Sequence, residues 1–124
     1  MTDTIADLFV RIINARMAGL AFTEAPYSSM KEAILKVLKK EQYIVGYTCD
    51  KKAKMIKIDI QNSRNFSKIV RISKPSRRLY VKSKNIPRPK SGYGTVIVST
   101  PKGVLSGEEA RRSNIGGEII CEVY

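Results

Sequence analysis

The chain has 124 residues and a mass of 13.9 kDa, a size that fits one compact domain or two very small halves sharing a core. It carries 23 Lys and Arg against 11 Asp and Glu, for a formal net charge of +12. We therefore expect a polyanionic partner. No apolar stretch reaches the roughly 20 residues that span a bilayer, and the N-terminus lacks the basic region of a secretory signal, so the sequence predicts no membrane partner.

The charge is distributed unevenly along the chain. Residues 1–62 carry ten basic and seven acidic side chains, whereas residues 63–124 carry thirteen and four. Between Asp59 and Glu108 lie 48 residues with eleven Lys or Arg and no acidic side chain. Scattered charge usually belongs to a solvated surface, but so long a run without one carboxylate favours a phosphate-facing surface.

The first half begins with a predicted helix followed by a short extended piece. Thr4 and Asp7 have the spacing of a capping box, and Gly19 ends the pattern. An apolar stripe at helical spacing is formed by Ile5, Leu8, Phe9 and Ile12. Residues 20–25 are predicted to be extended.

A second helix and two strands complete the first half. Ser29 and Glu32 form another capping-box pattern, and the predicted apolar stripe consists of Met30, Ile34, Val37 and Leu38. Residues 43–49 predict a strand, and the alternation of residues 56–60 predicts a half-buried one. The polar residues 62–65 predict the closing turn.

The second half is predicted to be mostly strand. Candidate strands are residues 69–73, 79–82, 95–100 and 118–123. Ser106 and Glu109 predict a capped short helix at Gly107–Arg112. The sequence therefore predicts an α+β fold, with an N-terminal α-β-α-β-β half (residues 1–62) packed on a mostly β C-terminal half (residues 63–124) that contains one short helix.

The side chains argue against catalysis and metal binding. The chain has no histidine, the most common general base near neutral pH, and no motif with metal-ligand spacing. The acidic pair Glu108 and Glu109 suits the first turn of a helix. The Gly92-Tyr93-Gly94 run precedes a strand and predicts a turn. We expect no enzyme activity and no cofactor.

Two cysteines are too few for a disulfide framework. Cys121 follows Ile119 and Ile120 in an apolar run, where a buried, reduced thiol is expected. This cysteine usage is typical of the reducing cytoplasm.

The candidate RNA contacts lie mainly in two short segments of the second half. The segment Ser99-Thr100-Pro101-Lys102-Gly103 offers small donors that can enter the shallow minor groove of RNA, although the same residue types are common in turns. The second segment is residues 114–118, with Gly116 and Gly117. Tyr80, among Arg77, Arg78 and Lys82, has either a stacking role or a packing role on a sheet face.

Taken together, the motifs resemble those of the bacterial small-subunit ribosomal protein numbered eight, over essentially the whole chain. The first helix contains the family pattern D-x-I-A-D-x-x-x-R-I-x-N, and the second helix is similar. The most specific part is the C-terminal series of motifs. The matching segments are residues 3–15, 28–38, 92–100, 102–104, 109–112 and 116–121.

The resemblance implies a non-catalytic structural protein on the cytoplasmic ribosome. Its partners would be the central domain of small-subunit ribosomal RNA, bound directly during assembly, and neighbouring small-subunit ribosomal proteins. Some members also bind their own messenger RNA, so translational repression is an alternative role. The contacts implied by motif position are Ser99, Thr100, Lys102, Gly103, Gly116, Gly117 and Tyr80, with Arg78 added for its charge, and Thr4, Asn14 and Lys31 in the first half.

One position departs from the family pattern. The family loop is usually Ser-Thr-Ser-Lys-Gly, and here the third residue is Pro101. Proline removes a hydroxyl and a backbone N–H, so we expect a stiffer loop with one or two fewer hydrogen bonds. An RNA-processing enzyme is the third possible function, but no convincing pair of catalytic carboxylates supports it.

Overall fold

The computed structural model describes residues 3–61, 63–89 and 94–124, and within these the chain forms two units. The N-terminal unit is Thr4–Asn65. Its elements are α1 (Thr4–Met17), β1 (Phe22–Pro26), α2 (Ser29–Lys40), β2 (Gly46–Asp50) and β3 (Met55–Asp59). The order α-β-α-β-β is the one that the sequence predicts.

The three strands of the N-terminal unit form an antiparallel sheet in the order β1-β3-β2. Alternate residues face opposite sides of a strand, and Ala25, Ile56 and Ile58 lie on the buried side. The helices pack against β1 and β2. α1 contributes the buried side chains Leu8, Phe9, Ile12 and Ala15, while α2 contributes Ile34, Leu35, Val37 and Leu38.

The start of α2 differs from its prediction by one residue. Ser28, and not Ser29, is the N-cap: its extended backbone precedes the helix, and its Oγ accepts a hydrogen bond from the Lys31 N–H at 3.1 Å. Met30, in the first turn of α2, is 38% exposed, so its place in the predicted stripe is wrong. At the other helix, α1 begins at Thr4, so the residue predicted to be its N-cap lies inside the helix, and Asp7 accepts a hydrogen bond from Arg11 Nε at 2.8 Å.

The C-terminal unit consists of Asp3 and Phe66–Tyr124. Its elements are β4 (Ile69–Arg71), β5 (Tyr80–Val81), a 3-10 helix (Ser83–Asn85), β6 (Thr95–Thr100), β7 (Gly103–Ser106), α3 (Gly107–Arg112) and β8 (Gly117–Val123). The sheet order is β4-β8-β6-β7, and β5 also pairs with β8. The predicted α+β fold class is confirmed.

α3 covers the core on one side of the C-terminal sheet. The core is formed by Ile86, Val96, Val98, Ala110 and Ile119. The predicted cap is confirmed, because Ser106 Oγ accepts from the Glu109 N–H at 3.2 Å. No sequence pattern predicts β7 or the 3-10 helix.

Two of the predicted turns include residues outside the described ranges. The Gly92-Tyr93-Gly94 turn and Asn62 of the closing turn fall wholly or partly outside the described residues. None of the helices in the described ranges is long and apolar enough to cross a membrane. The same ranges contain no group of three or more side chains arranged to hold a metal ion.

The two thiols should differ in reactivity. Cys121 is fully buried, as predicted, and burial raises the pKa of its thiol. Cys49 is half-buried, and its pKa is raised by burial and by the charge of Glu32. Since the thiolate is the reactive form, we expect a thiol reagent at pH 8 to label Cys49 slowly and Cys121 only on unfolding.

Glu32→Gln tests the cause of this difference. Removing the carboxylate should lower the pKa of Cys49 and speed its labelling, while Cys121 stays protected. The rates are measured by mass spectrometry of the labelled peptides. Equal Cys49 rates in the parent and the variant would contradict the assigned role of Glu32.

Candidate nucleic-acid interface

The hairpin of β6 and β7 holds the predicted contact loop. Its two central residues are Pro101 and Lys102, and Thr100 pairs with Gly103 across the strands. The Thr100 hydroxyl donates to the Gly103 carbonyl oxygen at 2.7 Å and accepts from the Lys102 N–H at 3.2 Å. Gly103 has a φ of 115°, which glycine adopts at little cost. The Thr100 hydroxyl, at the end of β6, therefore hydrogen-bonds both to the turn at Lys102 and to the start of β7 at Gly103.

Pro101 fits this turn. Its ring fixes φ near −65°, the value that the first central residue of a type I turn requires. Lys102 supplies the backbone N–H that closes the turn onto Thr100. The hydrogen bonds of the turn therefore form without a backbone N–H at Pro101. The group that this chain lacks is the serine hydroxyl found at this position in the usual family loop.

A row of side chains crosses the C-terminal sheet next to the hairpin. Glu118 of β8 pairs with Tyr80 of β5 on one side and with Ser99 of β6 on the other, and Ser99 pairs with Val104. Directly paired residues project from the same face of a sheet. Tyr80 is 66% exposed, so its ring is largely in solvent and is not packed flat on the sheet.

Glu118 places a carboxylate in the middle of this row. The predicted segment of residues 114–118 contains it, but it is not among the contact residues predicted individually. Its side chain is 19% exposed, and Arg78 Nε lies 3.9 Å from its Oε2. A carboxylate repels phosphate but accepts hydrogen bonds from hydroxyl and amino groups. We use the name hairpin face for Tyr80, Glu118 and Ser99, which project from one side of the sheet, together with the neighbouring turn residues Thr100 and Lys102.

Gly116 and Gly117 have a structural reason to be glycine. A Cβ on Gly117 would collide with the Ser99 carbonyl oxygen, and one on Gly116 would collide with the Val81 carbonyl oxygen. The absent side chains let the start of β8 lie close to its neighbouring strands. These glycines position the hairpin face, and their direct contact with RNA stays a prediction.

Exposed cations are numerous in the described part of the C-terminal unit. They are Lys68, Lys74, Arg77, Arg78, Lys82, Lys84, Arg88, Lys102 and Arg112. Arg71, in contrast, is half-buried and pairs with Asp3 at 3.1 Å, and it also donates to the Ile120 carbonyl oxygen at 2.8 Å. Arg71 therefore has a structural role, whereas the exposed cations face solvent, where an anionic ligand can reach them.

Comparison with known proteins identifies the family to which this arrangement belongs. The family model described as ribosomal protein S8 matches residues 3–124. The chain belongs to the ribosomal protein S8 family. Members are structural, non-enzymatic components of the small ribosomal subunit, and binding to ribosomal RNA is general among them. The expected family, ribosomal location and lack of enzymatic activity are confirmed by this membership.

Curated relatives match the chain over nearly its full length. The small ribosomal subunit protein uS8 of Alcanivorax borkumensis is 49% identical, covering 99% of this chain and 98% of the relative. The proteins of the same name from Mycoplasmopsis synoviae and Kosmotoga olearia are 45% and 43% identical, again with 98% of each relative covered.

The three S8-family candidates in the N-terminal unit are not brought together. Thr4 and Asn14 are exposed on α1, ten residues apart, or roughly 15 Å along a helix axis. Lys31 is only 3% exposed, and its Nζ donates to the Pro26 carbonyl oxygen at 3.1 Å. That bond gives Lys31 a packing role, and contact of these residues with RNA stays a prediction.

Proposed function

We propose that this S8-family chain binds the central domain of small-subunit ribosomal RNA directly through the hairpin face, and that this binding supports subunit assembly. The observation that carries the proposal is the row in which exposed Tyr80 and half-buried Ser99 flank Glu118, beside the turn held by Thr100. It lies in the half of the chain with most of the positive charge.

The side chains of the hairpin face suit an RNA minor groove. That groove is wide and shallow and presents 2′-hydroxyls and base edges. Ser99 supplies a small hydroxyl, Glu118 an acceptor for 2′-hydroxyl or amino donors, and Tyr80 a ring for stacking on a ribose or unpaired base. Because Glu118 repels phosphates, the phosphates of the bound RNA would lie at the margin, near Lys102 and Arg78.

Repression of the protein's own messenger RNA is the alternative use of this surface. Hydroxyl and carboxylate groups that contact riboses do not distinguish a ribosomal RNA from a messenger RNA of the same shape. Competition between the two RNAs for one chain tests this role. Simultaneous binding of both would exclude a shared site.

Lys102→Ala tests the proposed margin of phosphate contacts. The logarithm of the binding constant K falls linearly with the logarithm of the salt concentration. Each lost phosphate contact should make this slope less steep by roughly 0.7–0.9, with the DNA values as a guide. Arg78→Ala should act in the same direction. The measurement is titration of a central-domain RNA fragment at several salt concentrations.

Lys52→Ala is the matched control, because Lys52 is an exposed lysine in the N-terminal unit. It removes the same charge and should leave the slope unchanged. Equal slopes for Lys102→Ala, Arg78→Ala and the parent would place the phosphate contacts away from the hairpin face.

A further inference from the structure

Two tyrosines and a cysteine lie near the carboxylate of Glu32 in the first turn of α2. The Tyr27 hydroxyl donates to Glu32 Oε1 at 3.2 Å, and the Cys49 thiol donates to the same carboxylate. The pKa of Tyr47 is raised by burial and by the negative charges of Glu32 and Cys49, so its phenol is within their electrostatic reach. These four side chains are called the α2–β2 cluster.

Strand pairing places two members of the cluster beside α2. Tyr47 and Cys49 pair with Ile58 and Ile56 of β3, which are fully buried. Directly paired residues project from the same face of a sheet, so both side chains lie on the side of the helices, where β2 contacts α2. β2 is an edge strand, both side chains are half-buried, and Tyr27 is 39% exposed. A ligand can therefore reach the cluster from solvent.

The donors that bind Glu32 are neutral. A phenol and a thiol satisfy lone pairs of the carboxylate but bring no positive charge. The neighbouring Lys31 instead donates from Nζ to the Pro26 carbonyl oxygen at 3.1 Å, and no ion pair found among the described residues includes Glu32. The charge of Lys51 also acts on Cys49, but its effect on the thiol pKa is the smallest of those present. The cluster thus offers a negative charge on a chain whose net charge is +12.

A carboxylate beside two phenol rings suits a cationic side chain. A guanidinium or an ammonium forms charge-assisted hydrogen bonds with a carboxylate, and either is attracted to the face of a tyrosine ring within about 6 Å. The N-terminus of α2 accounts for an acidic residue in its first turn, but it does not account for the phenols grouped with that residue. Tyr and Arg are also enriched in protein–protein interfaces.

RNA does not suit the α2–β2 cluster, because the Glu32 carboxylate would repel its phosphates. Proteins that bind the same RNA as this chain need a surplus of Lys and Arg for the same electrostatic reason. Their basic segments carry the cation that the cluster fits. The occupant is therefore a basic protein segment.

We propose that the α2–β2 cluster docks a basic segment of a neighbouring small-subunit ribosomal protein, whose Lys or Arg side chain binds Glu32 and lies against a tyrosine ring. The class of partner follows from membership of the S8 family. The cluster belongs to the N-terminal unit and the hairpin face to the C-terminal unit, so docking here does not require the hairpin face to bind RNA.

Cross-linking from within the cluster identifies the occupant. Particles are reconstituted from small-subunit ribosomal RNA, the other small-subunit proteins and the full chain with Tyr27→p-benzoylphenylalanine. We expect a cross-link to one protein, close to a Lys or Arg. A cross-link to RNA, or no cross-link in assembled particles, would overturn the proposal.

Charge reversal then tests whether Glu32 binds that cation. In competition with the parent chain, Glu32→Lys should incorporate about tenfold less well, because attraction is replaced by repulsion. Exchanging the partner's cross-linked Lys or Arg for Glu should restore the incorporation of the Glu32→Lys chain. If incorporation is not restored, the two side chains do not pair and the docking site is wrong.

Glu24→Gln is the matched control for Glu32→Gln, since each removes one negative charge from the N-terminal unit. Glu24 is exposed in β1 and pairs with exposed Lys57, on the face of the sheet away from the helices. We expect Glu32→Gln to incorporate about fivefold less well than the parent, and Glu24→Gln to incorporate like the parent. Equal incorporation of the two variants would rule out the docking site.

Titration of the same two variants with the free RNA fragment separates this proposal from the proposed function. Both variants should bind the fragment as the parent does. If the parent fails to bind the fragment, the proposed function is wrong. If the parent binds and Glu32→Gln incorporates equally well, the docking site is wrong.

Discussion

Gly117→Ala is expected to lower the free energy of unfolding by about 3 kcal/mol or more, near the upper end for single substitutions. The added Cβ would collide with the Ser99 carbonyl oxygen, and it would also lie 2.9 Å from the Ser99 carbonyl carbon. Both are backbone atoms of β6, so relief requires the two strands to separate. Urea unfolding followed by circular dichroism measures the change.

Gly46→Ala is the matched control for that substitution. Gly46 also begins a strand, but no heavy atom comes within 4 Å of its built Cβ. Its alanine variant should therefore stay within about 0.5 kcal/mol of the parent or gain slightly, since alanine restricts the unfolded chain. Similar losses in both variants would mean that close strand contact is not what requires glycine at position 117.

Thr100→Val should weaken binding to the central-domain RNA fragment by about 1–3 kcal/mol, the cost of leaving polar groups unpaired. Valine nearly preserves the shape of threonine but removes the hydroxyl that bonds to Gly103 and Lys102. The salt dependence should hardly change, because no charge is lost. Isothermal titration at two salt concentrations gives both quantities.

Thr100→Ser restores the hydroxyl and should recover most of the affinity. Unfolding curves of both variants show whether the loss comes from a loosened turn, since a structural loss appears in the absence of RNA as well. Should the valine variant bind as tightly as the parent, the loop is only a turn and has no part in RNA binding.

Elements marked by periodic apolar residues or by a capping pattern were predictable, whereas β7 was not. The stripe of Leu8, Phe9 and Ile12 predicts α1, and the alternation at Ile56 and Ile58 predicts β3. β7 has only Val104 and Leu105 between Gly103 and the cap of α3, too short a run to show a period. Strand pairing alone defines it, and pairing is a long-range property.

The location of the candidate site was predictable from the sequence, but its geometry was not. Ser99 and Lys102 belong to a hydroxyl-rich segment that can be recognised directly. Glu118 ends the predicted segment 114–118, but it lies next to Ser99 only because β8 pairs with β6, so no local pattern indicates that its carboxylate is beside the Ser99 hydroxyl. The N-cap of α2 was unpredictable for the same reason. Ser28 and Ser29 are both good N-cap residues, and tertiary context decides which of them takes that position.

The position of Glu118 has a consequence for how quickly unsuitable RNA is released. The exposed cations of the C-terminal unit should attract any polyanion over a long range, whatever its sequence. In the proposed binding mode, a strand that arrives out of alignment would bring a phosphate against the carboxylate, and the repulsion would shorten its dwell time. An aligned strand would bring a hydroxyl or amino donor to the same oxygens and stay bound. One acidic side chain would thus leave the encounter rate almost unchanged while separating RNA partners by their rates of dissociation.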